Sequence, residues 1–294
     1  MSRAGPQRVN EMCDPLHVSK QKRSRTAQGV CAERAILNAM GVLVDPFSEK
    51  MLTRPWSAFV TIMQHWPLRM NPWSVTRAGL AARILWHDAQ ISSALDDGIT
   101  QVAVIGAGYD SRAWRMRRDG VQFFELDHPV TQHDKVARAP GPGPIYVEAD
   151  LATADAADAL RNHGLDASKP ALFILEGVTM YLSETATRSQ LHSLSQSSAV
   201  GSRLSVDFYP PANAGTASNR RQMRYQKFFR TGSGEQFRLV VDQANANALV
   251  AASGWEVTTT TNLRAAALEF VPRSFGLPID EVNEHKALLA ATRR

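Results

Sequence analysis

QVAVIGAGYDSRAWR, residues 101–115, decides the reading of the fold. Residues 101–105 form a short, largely apolar run with β-branched side chains that stops at Gly106-Ala107-Gly108, the pattern of a buried parallel strand turning tightly into a helix. In a doubly wound sheet that turn is where a cofactor is held. A second apolar run, residues 121–126, ends in Asp127, a carboxylate placed to accept hydrogen bonds from ribose hydroxyls at the carboxyl edge of the next strand. One strand-turn-helix-strand unit is expected, with an adenosine-type ligand across its top.

A glycine pair followed by an acid serves nicotinamide cofactors and S-adenosylmethionine alike, and a tight turn packing a helix on a strand needs no ligand. Repetition is the stronger signal. Two more strand-like runs, residues 145–149 and 171–175, also end in acids, Asp150 and Glu176. NAD carries a pyrophosphate, which needs a backbone nest and tolerates acidic neighbours poorly. S-Adenosylmethionine carries a sulfonium, an ammonium, an adenine amino group and a ribose diol, all suited to acceptors. The third glycine of the dinucleotide fingerprint is also replaced, by Ser111. The acidic rim therefore suits S-adenosylmethionine better than NAD, with an NAD-dependent oxidoreductase as the alternative from another class.

With 294 residues, 44% of them hydrophobic and 21% charged, the chain can bury a full core, and one domain with appended elements is expected. Two cysteines, Cys13 and Cys31, make no disulfide framework, and no run reads as a signal segment or membrane span, so a cytoplasmic protein is expected. The formal charge of +5 is spread over several segments without a nucleic-acid-binding module, so an anionic small substrate or solubility accounts for it.

Residues 1–25 read as a mobile basic arm, and residues 26–98 as a helical cap. Within the cap, a helix runs from Thr26 through Met40 to a Gly41 cap, and Asp45-Pro46-Phe47 turns into a short helix. Pro55, Pro67 and Pro72 break the next stretch, and a long helix from Ser74 closes at Asp96-Asp97-Gly98. Residues 99–208 form the cofactor-binding core, with helices at 154–163 and 183–198 and a fifth strand at 201–208. Residues 209–234 read as a lid hinged at Gly232-Ser233-Gly234. There NRRQMRYQKFFR, residues 219–230, offers Arg220, Arg221, Arg224 and Arg230 to an acidic substrate, Arg220 and Arg224 foremost, or is simply a solvated helix face. Residues 235–294 close the fold with a helix to Ala252, a strand at 255–261 and a short helical tail from Glu281.

GAGYDSRAWR, FFELDHP with Lys135 downstream, EADL and LEGVTMYL, preceded by RTAQGVCAERA, DPF, and Arg83 with Asp88, together resemble the leucine carboxyl methyltransferase family, particularly its bacterial members. The likeness runs in order from about Thr26 to Phe208; beyond it only Gly254-Trp255 is familiar. It implies a class I methyltransferase (Rossmann-like) α/β fold, a mostly parallel doubly wound sheet with an N-terminal helical cap. It also implies S-adenosyl-L-methionine as cofactor and, more loosely, a place in secondary metabolism. By resemblance, Arg34 and Arg83 clamp the methionine carboxylate, the former a lysine in eukaryotic members, and Gly106 and Gly108 let the backbone approach the cofactor. Asp127 holds the ribose, Asp150 and Leu151 the adenine edge, and Glu176 the ammonium. Arg83 can equally pair with Asp88, and Asp150 can cap the following helix.

Methyl transfer to a carboxylate, ionised at neutral pH, needs no base, whereas a phenol near ~10 profits from one. His128 and His133 stand nearest the strand ends, but His128 precedes Pro129 in a structural-looking motif. Tyr181 is the side chain best placed to orient an acceptor oxygen, or else an ordinary core tyrosine. No zinc spacing, Walker loop or nucleophile elbow occurs, and no metal is expected. The expected activity is O-methylation of a small-molecule or peptidic acceptor, most directly a carboxyl group, with phenol or hydroxyl methylation as the alternative; neither nucleic acid nor membrane is expected as a partner.

Overall fold

The computed structural model describes residues 24–66, 73–211 and 236–294. Five strands are parallel: β1 (Gln101–Ile105), β2 (Gln122–Asp127), β3 (Ile145–Glu148), β4 (Leu172–Leu175) and β5 (Arg203–Phe208). β6 (Glu256–Asn262) and β7 (Ala287–Thr292) complete a seven-stranded sheet of order β3-β2-β1-β4-β5-β7-β6, with β7 antiparallel to both neighbours. The chain thus winds outward in one direction from β1 to β3 and in the other from β4. The crevice between β1 and β4, at their carboxyl ends, is where such sheets bind ligands.

Alternation along the central strands puts apolar side chains on both faces. Ala103 and Ile105 of β1 join Phe173 and Leu175 of β4 on one face, while Val102 and Val104 join Leu172 and Ile174 on the other. The first face is covered by α6 (Ala156–Asn162), α7 (Glu184–Gln196) and α8 (Gln243–Ala252). α3 (Ser74–Asp96) and α9 (Leu263–Phe270) cover the second, their Ala78, Ala81, Ala82, Ala266 and Ala267 small enough for the two helices to pack closely over β7. Ser183 Oγ caps α7 by accepting from Ala186 N at 3.1 Å. Among the described residues no helix is long and apolar enough to cross a membrane.

α1 (Arg25–Ala39) begins one residue inside the expected basic arm, capped by Ser24, and ends before Gly41 in a left-handed turn. Two expectations need correction. Pro55 does not break the chain: it sits in the first turn of α2 (Arg54–Gln64), where its missing N–H would have had no helical partner. Nor is the end of the chain a helical tail from Glu281. That glutamate closes a single 3-10 turn, Ile279–Glu281, and ALLAAT then forms β7 between β5 and β6, a tertiary position that outweighs the helical preference of alanine and leucine. α9 was also unforeseen. The basic arm up to Arg23, Pro67 and Pro72, the residues 219–230 with Arg220, Arg221, Arg224 and Arg230, and the Gly232-Ser233-Gly234 hinge lie outside the described residues.

Candidate active site

A cavity of about 320 Å³ opens at the carboxyl ends of β1 to β4, under α1. Ala27, Val30, Cys31 and Arg34, spaced i, i+3, i+4 and i+7, form the stripe of α1 that roofs it. The sheet contributes Gly106 and Gly108 after β1, Asp127 at the end of β2, Asp150 and Leu151 after β3, and Glu176 after β4; Arg83 enters from α3 and Tyr181 from the one-turn helix Thr179–Tyr181. All nine described residues expected at a cofactor or acceptor thus face one space.

The loop after β1 is held open by its glycines. Gly106 and Gly108 have φ of 68° and 52°, the left-handed region that side chains avoid. A Cβ on Gly106 would collide with Val178 Cγ2, and one on Gly108 would lie 2.9 Å from the Ala27 methyl. Asp127 braces this loop: Oδ2 accepts from Gly108 N at 2.5 Å and Oδ1 from His128 N at 2.7 Å. Burial pushes the Asp127 carboxyl above its ordinary range, and these two N–H donors work against that rise. A second brace comes from the turn that follows α1. Asp45 accepts from Phe47 N and Ser48 N through Oδ1, shaping the Asp-Pro-Phe turn, and from Ser111 Oγ at 2.6 Å through Oδ2.

Charges around Glu176 are densely compensated. Its carboxylate meets Arg112 Nη2 at 2.6 Å, Arg83 Nε at 3.0 Å and Arg34 Nη2 at 3.7 Å. Burial opposes its ionisation, but Arg112, Arg83 and Arg34 outweigh burial and hold the carboxyl well below the usual carboxylate range. Arg34 also donates to Asp110 at 3.1 Å, and Arg83 to Tyr209 OH at 3.3 Å. The alternative pairing of Arg83 with Asp88 does not occur, because Asp88 lies 2.6 Å from both Arg112 Nε and Arg115 Nη2. Asp150 does not cap α6 either; Asp155 does, while Asp150 Oδ1 accepts from Ala152 N at 3.0 Å.

Sequence reasoning missed the hub of this network. Arg112, wholly buried at the start of the one-turn helix α4 (Arg112–Arg115), bridges Glu176, Asp110 and Asp88, and Asp110 bridges Arg112 and Arg34. Both stand in the GAGYDSR run, and the available signal was an acid and an arginine two residues apart just past the loop. Lys135, by contrast, points away from chemistry: it pairs with Glu125 in the interior, and burial pushes that carboxyl up to about 7. Tyr181 is half-buried with its ring edge-on to Phe237 at 5.8 Å, so it is a cavity wall rather than a core tyrosine.

His87, beside this network, is fully buried, with Nδ1 2.7 Å from Ser205 Oγ and no hydrogen-bond partner on Nε2 among the described residues. Burial lowers its pKa from 6.5 to about 4; the nearby Glu176 and Asp207 favour its charged form, and Arg112 and Arg83 oppose it. The unfolded chain therefore takes up a proton near pH 6.5 that the folded chain refuses until about 4, so stability is lost as pH falls through that window, by about 3 kcal/mol in all. Urea unfolding at pH 7, 5.5 and 4.5 is expected to show this loss, reduced in His87→Asn, whose amide does not titrate. An undiminished slope in the variant would assign the loss to other groups.

Residues 27–195 match the leucine carboxyl methyltransferase family. The chain belongs to that family. A relative from Mycolicibacterium paratuberculosis, provisionally named an S-adenosyl-L-methionine-dependent methyltransferase, is 32% identical over 217 residues, covering 68% of this chain and 69% of its own. One from Mycobacteroides abscessus, named in the same way, is 29% identical over 271 residues, covering 80% and 84%. A crystal structure from Thermobifida fusca YX, provisionally described as a methyltransferase, shares the fold with a TM-score of 0.58 at 16% identity, covering 89% of this chain and 94% of that one. The protein is an S-adenosylmethionine-dependent methyltransferase with the class I α/β sheet, and nothing supports the oxidoreductase alternative.

The residues present fit this family's cofactor. Arg34 Nε is buried without a hydrogen-bond partner among the described residues, which leaves a donor at the wall for a carboxylate. The mixed arginine and glutamate cluster suits a zwitterionic amino-acid end, and the glycine loop leaves the backbone bare where a Cβ would collide.

Proposed function

We propose that this methyltransferase esterifies a carboxylate of a small-molecule or peptidic acceptor. Arg34 and Arg83 would hold the methionine carboxylate of the cofactor, Glu176 its ammonium, Asp127 the ribose, and Asp150 with Leu151 the adenine edge. When bound, S-adenosylmethionine supplies a methyl group already activated by the sulfonium. The protein's part is then to align the acceptor oxygen with that group and keep water out, which the α1 roof favours.

The observation that carries the carboxyl reading is the state of two cavity side chains that by type could take a proton or attack. His128 caps α5 (Pro129–Val136), its Nδ1 accepting from Val130 N at 3.3 Å. Burial pushes the Cys31 thiol up to about 12, so it stays protonated, directed at Ser48 O at 3.2 Å. A carboxylate acceptor, already ionised, asks for neither. Tyr181 stands in the wall where it could orient the acceptor oxygen.

Labelled-methyl transfer to a panel of acids and phenols tests the reading. A base-labile product is expected; turnover of phenols alone, to a base-stable ether, would replace it with hydroxyl methylation. Asp127→Ala is expected to weaken S-adenosylhomocysteine binding by about 1–3 kcal/mol through the lost ribose bonds. Calorimetry showing unchanged affinity would remove Asp127 from the site.

A further inference from the structure

The cofactor positions above occupy α1, α3 and the ends of β1 to β4, which leaves, besides Val130 and Thr131 of α5, the wall formed by Tyr181, Leu182, Gln236 and Arg238. That wall is built on fixed backbone. Arg238 N donates to Met180 O at 2.7 Å, and Val241 N donates to Tyr209 O at 2.8 Å, so residues 238–241 are tied to the one-turn helix carrying Tyr181 and to the end of β5. Side chains alternate along it as on a strand. Phe237 packs against Tyr181 and Tyr209, with ring centroids 5.8 and 5.3 Å away, and Leu239 is buried in the core. Gln236 and Arg238, between them, face the cavity and remain exposed.

Three described arginines line this cavity, and they differ in one respect. Arg34 is neutralised by Asp110 and Glu176, and Arg83 by Glu176 and Asp207. Among the described residues Arg238 has no acidic partner. A guanidinium presents a planar fork of N–H donors matched to a carboxylate, and here the fork is backed by an anchored chain.

We propose that Arg238 is the acceptor-anchoring residue: at the cavity rim its guanidinium holds a carboxylate of the methyl acceptor beside Tyr181. This rests on the cavity being the methyl-transfer site, and not on which acceptor oxygen is methylated. The acceptor class that follows is an organic acid, preferred over its neutral amide.

The test is calorimetric titration of the full-length protein saturated with S-adenosylhomocysteine, using three acid and amide pairs: N-acetylleucine, benzoate and 4-hydroxybenzoate with their carboxamides. Wild-type protein is expected to bind at least one acid roughly tenfold more tightly than its amide. In Arg238→Gln that gap should close to within about twofold while S-adenosylhomocysteine affinity stays at the wild-type value, and Arg238→Lys should retain part of it. No preference for any acid in the wild type, or a preference that survives Arg238→Gln, overturns the proposal. Labelled-methyl transfer to the same probes separates it from the carboxyl reading. Ether formation on 4-hydroxybenzoate would end that reading, while the assignment of Arg238 would still stand or fall on the acid and amide gap.

Discussion

Replacing Glu176 by glutamine is expected to lower folding stability by about 3–5 kcal/mol, the usual penalty for removing one partner of a buried ion pair. The substitution keeps the shape and removes one negative charge from among Arg112, Arg83 and Arg34, all of them buried. Those guanidiniums cannot escape by losing protons, so the imbalance persists at any pH where the protein folds. The wild-type advantage exists above the ordinary carboxylate range and is lost as pH falls through the lowered value of Glu176, so the two proteins should converge in strong acid. Affinity for S-adenosylhomocysteine should fall by roughly tenfold or more if, as proposed, Glu176 is the charged acceptor of the ammonium. Denaturant unfolding and calorimetry measure the two effects separately. A destabilised variant that still binds with wild-type affinity would make Glu176 a scaffold residue and return the ammonium to another group.

Gly106→Ala is expected to have the next largest effect, because two penalties coincide at that residue. A left-handed backbone costs an alanine about 1–2 kcal/mol, and the new methyl is driven into Val178 Cγ2 at a further cost of about 1–3 kcal/mol for overpacking. Cofactor affinity should drop with stability, since the loop cannot keep its path. Adding Val178→Ala clears the collision without changing φ. The double variant should therefore recover the packing share and keep the conformational one, a coupling that thermal unfolding of the four proteins in the cycle reads directly. Strictly additive losses would show that Val178 is not what confines this glycine.

The strand ends that line the cavity were legible because their signals are local. An apolar run that ends in a glycine or an acid marks a strand and its exit whatever surrounds it, so Gly106, Asp127, Asp150 and Glu176 could be placed on successive strand ends. Family motifs added Arg34 and Arg83, which no spacing along the chain would have brought together, since they lie on different helices.

Pairing was another matter. Asp88 and Arg83 share a helix and look like partners, yet Asp88 takes Arg112 and Arg115, and Arg83 takes Glu176 from across the sheet. Arg112 was in plain view beside the glycine loop, but its importance comes from lying within reach of three carboxylates on separate elements. Residues 287–292 make the same point for the backbone. ALLAAT favours a helix in isolation, and it becomes a strand because β5 and β6 supply hydrogen-bond partners on both edges while apolar layers cover both faces.

Elements set by near neighbours in the chain, the strand exits, the Gly41 end of the first helix and the glycine turn, could be read from the sequence, because backbone preference and side-chain periodicity act over a few residues. Which charge meets which, and which segment fills the gap between two strands, was resolved only on folding. Those choices depend on distances between residues far apart in the chain, and on the burial that makes an unpaired charge or N–H costly.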